Sequence, residues 1–403
     1  MARSSKTKTS TDTTLDLKEL NKLGFSLAKD STWASVDDRI PTGLPEVDAQ
    51  IQGGMPMGRV IELFSQPAAG KSTLAMQLTR MATQIGVQVV WMDIEATADN
   101  DRLEQLGVDI SKVIIWQPKE GDPTATAIEY VASAAEGIIN YFHSMNMPVM
   151  VVWDSIGASS SLSTLKGDYD DQQPGREAKA ITRAMNKLQP LVTTTKSLMV
   201  VINQVREKMG AMAFGPTVDT PGGKALKHAA SVRFQLGKKK AFKRRGEDFG
   251  HLVDLKLVKS KVSVPNSHSE AVLYGGYGLN EVVNTIIKAI ELGIIKDKSA
   301  GSKGKVVLIP NQDGETVEYP YFDLLDAMGE DPEAYYDMVR PIFHKVMLHY
   351  FPNSFPGFEN KTLDLKALPL YKGLQEEYDK RAEEALKDNN VEEDDNDKTE
   401  APE

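Results

Sequence analysis

Short apolar runs alternate with helically spaced segments through residues 36–280. Each run is rich in Val, Ile, Leu and Met, as is typical of a buried strand. Strands that alternate with helices predict an α/β fold, in which helices flank a mostly parallel sheet. The clearest predicted strands are residues 60–64, 87–92, 149–153, 198–202 and 252–258.

The two ends of the chain have other patterns. The first residues are rich in Ser, Thr and Lys, and residues 15–28 have helical spacing. Beyond the core, residues 281–295 have helical spacing, a turn rich in Lys, Gly and Ser follows near residues 296–305, and an α-rich region continues. We therefore predict a disordered start with a small helix (1–35), a core (36–280), a smaller C-terminal α-rich domain (281–386) and a disordered acidic tail (387–403).

The composition is that of an ordinary globular protein, with 41% hydrophobic and 26% charged residues in a chain of 403. The absence of cysteine excludes disulfides and thiolate metal sites. No apolar run reaches the roughly 18 to 20 residues that span a bilayer, and the first residues lack the apolar stretch of a signal peptide. We therefore expect a cytoplasmic protein with no membrane partner.

The formal net charge of −10 is unevenly distributed. Residues 388–403 hold eight carboxylates and one lysine, so −7 of this charge lies in the tail. The rest of the chain has dense basic clusters at residues 238–240 and 243–245. An acidic total therefore does not exclude nucleic acid, because local patches bind phosphates. A solvated loop is the other interpretation of these clusters.

A phosphate-binding motif, SQPAAGKS, begins at Ser65, directly after the first clear strand. In a P-loop, backbone N–H groups and a helix N-terminus bind phosphates, the lysine reaches the terminal phosphates, and the hydroxyl binds Mg²⁺. Ser65 stands where the motif begins with glycine, but Gly70, Lys71 and Ser72 match it. The predicted nucleotide contacts are Ser65, Gln66, Pro67, Ala68, Ala69, Gly70, Lys71, Ser72 and Thr73.

Four carboxylates follow predicted strands of the core. Asp154 ends an apolar run and is the expected partner of Ser72 in holding Mg²⁺. Asp93 and Glu95 lie on one side of their strand, because side chains alternate with a period of two. Glu95 could orient the water that attacks the γ-phosphate, or it could cap the next helix. Asp99 is expected to cap that helix or to contact the nucleotide base.

A long loop leaves the carboxyl end of the fourth clear strand. Asn203 and Gln204 stand at this end, where open α/β sheets bind ligands. The loop is rich in Gly, Met, Thr and Lys, and it carries Arg206, Lys208 and Phe214. Long irregular segments inside compact domains are usually functional or disordered. This layout predicts that binding of a polyanion depends on the nucleotide site, with Gln204 as the sensor.

With these motifs the chain resembles the RecA family of DNA recombinases, across roughly residues 38–280. It is similar to the bacterial recombinase or a phage-encoded relative. The resemblance implies a RecA-type P-loop ATPase core, DNA-dependent ATPase activity, ATP and Mg²⁺, and an N-terminal helix used in polymerisation. Besides the P-loop, the matching motifs are IPTG at residues 40–43, GGMPMGR at 53–59, DIE at 93–95, LGVD at 106–109, DS at 154–155, NQVR at 203–206, GGKALK at 222–227 and VKSK at 258–261.

The resemblance also implies catalytic roles for single residues. Glu95 would activate the attacking water, Lys71 would bind the phosphates, and Gln204 would sense the γ-phosphate. Lys259 and Lys261 would reach the γ-phosphate bound by the neighbouring subunit. Their spacing of two puts both on one side of a strand.

Two segments correspond to the family's DNA-binding loops, at about residues 163–175 and 206–222. In the family, backbone amides and a few basic side chains of these loops bind the phosphates of single-stranded DNA. The contacts predicted here are Arg176, Arg206, Lys208, Met209, Gly210, Phe214, Gly222, Gly223 and Lys224.

Three further features depart from the family pattern. Arg102 stands near the position of an aromatic residue that stacks on adenine, and its guanidinium could stack instead. The first DNA loop is acidic, with Asp168, Asp170 and Asp171, which argues against a simple electrostatic role. His228 replaces an aromatic residue that relays the nucleotide state across the subunit interface.

Together these features predict ATP-dependent strand exchange in homologous recombination and DNA repair, with the family's part in the DNA-damage (SOS) response. Subunits would form a helical filament on single-stranded DNA, pair it with homologous double-stranded DNA, and hydrolyse ATP to release it. Single-strand-binding or loader proteins would meet the acidic tail. Two alternatives stay open, a ring-forming ATP-driven DNA motor with the same core fold and a DNA-binding mediator with a degraded ATP site.

Overall fold

The computed structural model describes residues 17–167, 175–207, 218–244, 246–299, 305–310, 315–320, 324 and 332–396. The chain divides into two units, Met1–Val36 and Asp37–Glu403. In the first unit, the described residues form helix α1 (Leu17–Lys22) and a 3₁₀ turn (Ala28–Asp30), and neither contains a buried residue. Helix α1 ends earlier than the predicted helix at residues 15–28, because Gly24 takes a positive φ of 83°.

The second unit contains the other described elements. Its strands are β1 (Arg39–Ile40), β2 (Met55–Pro56), β3 (Arg59–Ser65), β4 (Gln88–Asp93), β5 (Val113–Trp116), β6 (Val149–Asp154), β7 (Leu198–Gln204), β8 (Arg206–Glu207), β9 (Val218–Asp219), β10 (Val232–Arg244), β11 (Glu247–Ser260), β12 (His268–Tyr274), β13 (Lys296–Ser299), β14 (Lys305–Pro310) and β15 (Thr316–Pro320). Its helices are α2 (Pro45–Gln50), α3 (Lys71–Gln84), α4 (Asn100–Gln105), α5 (Ile128–Ser144), α6 (Leu162–Leu165), α7 (Arg176–Thr194), α8 (Gly223–Ala229), α9 (Glu281–Glu291), α10 (Pro332–Tyr350) and α11 (Leu374–Asn396). Short 3₁₀ helices cover Ile110–Lys112, Pro356–Glu359 and Leu365–Ala367.

Eight strands form the central sheet, in the order β12–β11–β10–β3–β7–β6–β4–β5. Neighbours from β10 to β5 run parallel, whereas β10, β11 and β12 pair antiparallel. The predicted fold, a mostly parallel sheet flanked by helices, is therefore confirmed. The five clearest predicted strands all lie in this sheet, and β5, β10 and β12 extend it.

Alternate side chains of the central strands belong to two separate hydrophobic cores. In β4, Val89 and Trp91 pack on one face of the sheet, and Val90 and Met92 pack on the other. Residues of α3, α9 and α10 join the first core, and residues of α5, α7 and α8 join the second. Burial on both faces explains why these strands read as nearly continuous apolar runs.

The region after residue 280 shares the first core with the rest of the unit. Ile286 of α9 and Phe343 of α10 belong to the hydrophobic cluster that contains Leu74 of α3. Arg80 of α3 forms a buried ion pair with Glu281 at the start of α9. The division of the chain into four parts stays a prediction, but the packing is continuous across its expected boundary at residue 281.

A second sheet is three-stranded and antiparallel, with β14 between β13 and β15. It lies at residues 296–320, where the sequence predicts a turn followed by an α-rich region. Apolar side chains explain its formation, because Val306, Val307 and Ile309 of β14 are buried. The C-terminal region is therefore mixed rather than purely α-rich.

Helix α11 extends into the predicted disordered tail. It runs to Asn396, so residues 387–396 are helical. The earlier part of this helix is rich in Glu, Lys, Ala and Leu, which are strong helix formers. Residues 397–403 lie outside the described part of the chain. Among the helices that the structure describes, none combines the length and hydrophobicity needed to cross a bilayer.

Candidate functional site

The P-loop connects β3 to α3 at the carboxyl edge of the sheet. Strand β3 ends at Ser65 and α3 begins at Lys71, and the loop turns through φ angles of 58° at Ala68 and 99° at Gly70. The φ of 99° at Gly70 lies in the left-handed region, so this position favours glycine. The loop therefore reaches the start of a 14-residue helix, whose free N–H groups favour an anion.

The ammonium group of Lys71 is held inside this loop. Lys71 is only 8% exposed, and its Nζ donates to Ser65 Oγ over 3.0 Å and to the carbonyl of Gln66 over 3.2 Å. Burial lowers the pKa of Lys71, and the carboxylates of Asp154 and Glu95 oppose that shift. Ser65, which replaces the first P-loop glycine, thus gives the ammonium a hydroxyl partner. Phosphate oxygens would be stronger acceptors than either present partner.

Asp154 ends β6 and is 1% exposed. Burial raises the pKa of its carboxyl to about 6, against an opposing hydrogen bond from Ser72. A carboxylate beside a hydroxyl offers the oxygen ligands that Mg²⁺ prefers, so Ser72 and Asp154 fit the predicted metal role. Within the described ranges no group of three or more Asp, Glu, His or Cys side chains is arranged for a metal ion. Further ligands would have to come from phosphate or water.

Glu95 and Gln204 meet at the carboxyl ends of β4 and β7. Gln204 Nε2 donates to Glu95 Oε1 over 3.0 Å, and Ser155 Oγ donates to the same oxygen. The predicted catalytic carboxylate and the predicted sensor are therefore in direct contact. Ser155 belongs to the DS motif at residues 154–155, but the sequence predicts no role for its side chain.

The other acids near β4 have local structural roles. Asp93 accepts the backbone N–H groups of Thr97 and Ala98, over 2.9 and 3.0 Å. Asp99 occupies the N-cap position of α4, as one interpretation expected, but its side chain makes no capping hydrogen bond. Asp93 thus fixes the turn that carries Glu95.

Arg102 lies beside an open cavity of about 520 Å³ on the surface of α4. Its Nη1 donates to Gln105 Oε1 over 2.9 Å, and Asp99 also lines the cavity. The space is large enough for a ring system, and the stacking role of Arg102 stays a prediction.

Lys259 and Lys261 lie together at the end of β11, as their spacing predicts. Lys259 Nζ donates to the carbonyls of Lys227 and His228, over 2.5 and 3.2 Å, and Lys261 Nζ donates to that of His228 over 3.3 Å. Burial lowers the pKa of Lys259 to about 8, and the charges of Lys261 and Arg233 add to this effect. Both lysines therefore rest on the C-terminal end of α8.

The predicted DNA contacts are only partly described. Arg176 begins α7, and its Nη1 donates to the carbonyl of Ser163 over 3.2 Å. Gly222 is the N-cap of α8, with a φ of 94°, and Gly223 and Lys224 begin that helix. Arg206 lies in β8, which pairs with β9. The residues outside the described ranges are Lys208, Met209, Gly210, Phe214 and the acidic Asp168, Asp170 and Asp171.

An open cavity of about 560 Å³ lies between α7 and α8. Gly222, Gly223 and Lys224 line one end of it, and His228 lines the other. The predicted DNA contacts on α8 and the departure at His228 thus share one surface.

The basic clusters lie on a β-hairpin instead of a loop. Residues 238–240 and 243–244 belong to β10, which pairs with β11. Lys239 is neutralised by Asp254 and Glu270, over 3.1 and 2.7 Å. The net positive charge of the hairpin is therefore smaller than its sequence suggests.

Residues 22–280 match the family described as the RecA N-terminal domain. The chain belongs to the RecA family. Similar proteins include the Protein RecA of Ruminococcus albus, 34% identical over 280 residues, which cover 69% of this chain and 66% of that protein. The Protein RecA of Thermus aquaticus is 33% identical over 267 residues, covering 66% and 74%. That of Fusobacterium nucleatum is 31% identical over 306 residues, covering 73% and 78%.

Membership of the RecA family agrees with the predicted motifs and their order. The family match ends at residue 280, whereas the hydrophobic core continues into α9 and α10. The predicted resemblance is confirmed, and the region from residue 281 onward lies outside the matched domain.

Proposed function

We propose that this RecA-like recombinase is a DNA-dependent ATPase that carries out strand exchange in homologous recombination. The hydrogen bond between Gln204 and Glu95 carries the proposal, because it joins the predicted catalytic carboxylate to the strand that leads into the second DNA loop. The relatives named Protein RecA support the same activity.

Lys71 and the P-loop backbone would bind the phosphates of ATP. The ammonium would exchange its bonds to Ser65 and Gln66 for charge-assisted bonds to phosphate oxygens. Ser72 and Asp154 would hold Mg²⁺, which when bound neutralises charge that develops on the phosphates.

Glu95 would accept a proton from the water that attacks the γ-phosphorus. A bond forms between the water oxygen and phosphorus, and the bond from phosphorus to the β,γ-bridging oxygen breaks, which leaves ADP and inorganic phosphate. The carboxylate already accepts hydrogen bonds from Gln204 and Ser155, so its orientation is fixed before the substrate binds.

Gln204 would report the γ-phosphate to the second DNA loop. A phosphate oxygen would compete with Glu95 as an acceptor for its amide, because both are charged acceptors. Any movement of Gln204 shifts the end of β7, from which the loop continues directly. ATP favours the DNA-binding state only as far as it binds that state more tightly.

Lys259 and Lys261 would contact the γ-phosphate held by the neighbouring subunit. Their described acceptors are backbone carbonyls, which a phosphate would outcompete. Subunits with ATP at each interface would polymerise on single-stranded DNA, test a duplex by base pairing and dissociate after hydrolysis. We further propose that the protein is cytoplasmic, acts in the DNA-damage response and meets loader or single-strand-binding proteins through its acidic tail.

Hydrolysis of ATP by the purified protein, with and without single-stranded DNA, is the first test. We expect DNA to stimulate turnover strongly. Lys71→Ala should abolish turnover and ATP-dependent DNA binding. Lys112→Ala, which removes a lysine that pairs with Asp109 over 3.2 Å on the surface, should change neither. ATP-dependent DNA binding by the Lys71→Ala variant would overturn the mechanism.

Two other outcomes would favour the alternatives. DNA-independent turnover, with hexameric rings in electron microscopy, would favour the ring-forming motor. A protein that does not hydrolyse ATP, and whose affinity for DNA does not depend on ATP, would favour the mediator with a degraded ATP site. The convergence of Lys71, Asp154 and Glu95 argues against such degradation.

A further inference from the structure

A buried polar network lies beneath the end of β7. Glu62 of β3 is fully buried, at 0% exposure, on the same face of the sheet as Val60, which packs in the core with α7 and α8. One of its carboxylate oxygens accepts from Asn203 Nδ2 over 2.9 Å, and the other accepts from Arg233 Nε. Strands β3, β7 and β10 therefore meet at a single carboxylate.

Asn203 connects this carboxylate to both ends of the second DNA loop. Its Oδ1 accepts the backbone N–H of Gln204 over 3.0 Å, where the loop begins. Its Nδ2 also donates to the carbonyl of Pro221 over 2.9 Å, where the loop ends. Pro221 directly precedes Gly222, the N-cap of α8. One side chain thus bonds the backbone of the proposed sensor residue and the residue that precedes the N-cap of α8.

Arg233 connects the same carboxylate to the lysine pair. Its guanidinium lies 4.6 Å from the centre of the Phe64 ring. In the β10–β11 ladder Arg233 is directly opposite Lys259. Lys259 in turn donates to the carbonyl of Lys227 at the end of α8. Glu62 is therefore connected to Lys259 by two routes. One passes through Asn203 and α8, and the other passes through Arg233 of β10.

A buried ion pair is a weak source of stability, because desolvation of both charges offsets their attraction. Apolar side chains would fill the same volume without that cost. Charged hydrogen bonds do restrict relative movement, since a carboxylate that shifts away from either partner leaves a buried polar group unpaired. The arrangement at Glu62 is therefore suited to transmitting displacement between strands.

We propose that Glu62 is a positioning residue, which couples the position of Gln204 to that of Lys259 and Lys261. It has this role only if, as proposed above, Gln204 senses the γ-phosphate of its own subunit and the lysines reach that of the neighbour. Nucleotide bound in one site would then set both the second DNA loop and the contact with the next site through one buried carboxylate.

The substitution Glu62→Gln tests this role. It keeps the size of the side chain and an acceptor for Asn203, but it removes the charge that holds Arg233. Glu281→Gln is the matched control, because it breaks the ion pair with Arg80, whose side chains are equally inaccessible, in the other core. The measured quantity is the ratio of affinities for single-stranded DNA, with a non-hydrolysable ATP analogue and with ADP, by fluorescence anisotropy.

We expect Glu62→Gln to lower that ratio by about tenfold, within the roughly 5- to 150-fold span of allosteric coupling. The Glu62→Gln protein should bind ADP with the wild-type affinity. A variant with a misfolded nucleotide site would bind ADP more weakly. Glu281→Gln should keep the wild-type ratio even though it loses a comparable ion pair.

A second pair of variants covers the case in which Glu62→Gln does not fold. Asn203→Ala should also lower the ratio, because it frees the loop from β3. Asn284→Ala is its control, since this buried asparagine bonds both backbone groups of Val272, over 2.7 and 3.0 Å, far from the loop in sequence. It should not alter the ratio.

The outcomes separate the two proposals. If the wild type has a high ratio and neither Glu62→Gln nor Asn203→Ala lowers it more than its control does, Glu62 does not couple the sites, and the proposed function stands. If the wild-type ratio itself is close to one, both the proposed function and the role of Glu62 are wrong.

Discussion

The buried carboxylate of Asp154 is suited to a cation, and its charge should destabilise the fold when no cation is bound. Burial raises its pKa from 3.8 to about 6. The folded protein therefore binds a proton at Asp154 more tightly than the unfolded chain does. It follows that ionisation of this group costs stability in full above about pH 6, and that the cost vanishes below about pH 3.8.

The substitution Asp154→Asn removes this ionisation and keeps the shape of the side chain. The difference between 3.8 and about 6 corresponds to roughly 3 kcal/mol, which is the largest possible gain. The raised pKa of Asp154 already includes the hydrogen bond from Ser72, which the amide oxygen of asparagine can still accept. We therefore expect the free energy of unfolding to rise by about 2–3 kcal/mol at pH 8, while ATP hydrolysis is lost.

Urea unfolding without nucleotide and with a chelator measures this gain, through the fluorescence of the buried Trp91 and Trp153. At pH 5 the gain should be clearly smaller than at pH 8. Asp93→Asn is the control, because it makes the same chemical change in an acid that accepts two backbone N–H groups. It should lower stability by about 1 kcal/mol. A less stable Asp154→Asn protein at pH 8, or a gain that is the same at pH 5, would refute the reasoning.

Three more predictions follow from packing and charge. Asp38→Ala should lower the free energy of unfolding by about 2–4 kcal/mol in urea, because the carboxylate accepts the backbone N–H groups of residues 361–363, and each buried group left unpaired costs about 1–3 kcal/mol. Gly54→Ala should lower the melting temperature far more than Gly86→Ala. Both glycines have positive φ, but a Cβ on Gly54 would lie 2.5 Å from a carbonyl oxygen of β1, whereas a Cβ on Gly86 would meet nothing within 4 Å. The KM for ATP should rise as the pH passes about 8, because the unliganded Lys259 loses its charge there. Lys259→Arg should remove this rise, because arginine stays charged. The same rise in the Lys259→Arg variant would contradict this prediction.

Four strands of the central sheet could be predicted because each is an apolar run buried on both faces, namely β3, β4, β6 and β7. The three-stranded sheet could not, since its apolar run at residues 306–309 is short and follows a segment rich in Lys, Gly and Ser. Periodicity does not separate a short buried strand from part of a buried helix. Its neighbour β13 is wholly polar and β15 is short and mostly exposed, so only tertiary pairing identifies them as strands.

The strand–loop–helix geometry of the P-loop could be predicted because the motif is contiguous in sequence and its conformation is set locally. The contact between Glu95 and Gln204 joins residues 109 positions apart, and only the resemblance suggested that they act together. The sequence does indicate that Glu62 is buried, because it is a carboxylate within the apolar run at residues 60–64. A buried charge needs partners, but the sequence does not say that they are Asn203 and Arg233.

The P-loop helix explains why the chain beyond residue 280 belongs with the matched RecA domain. Helix α3 begins at Lys71, the lysine of the P-loop motif, and its later turns are fixed by the buried pair of Arg80 with Glu281, to which Tyr336 Oη also donates over 3.1 Å. Gln77 Nε2 donates to the carbonyl of Thr42, ahead of the P-loop, over 3.1 Å. The C-terminal region therefore packs against the helix that follows the P-loop, and the limit of the family match is not a limit of the folded unit.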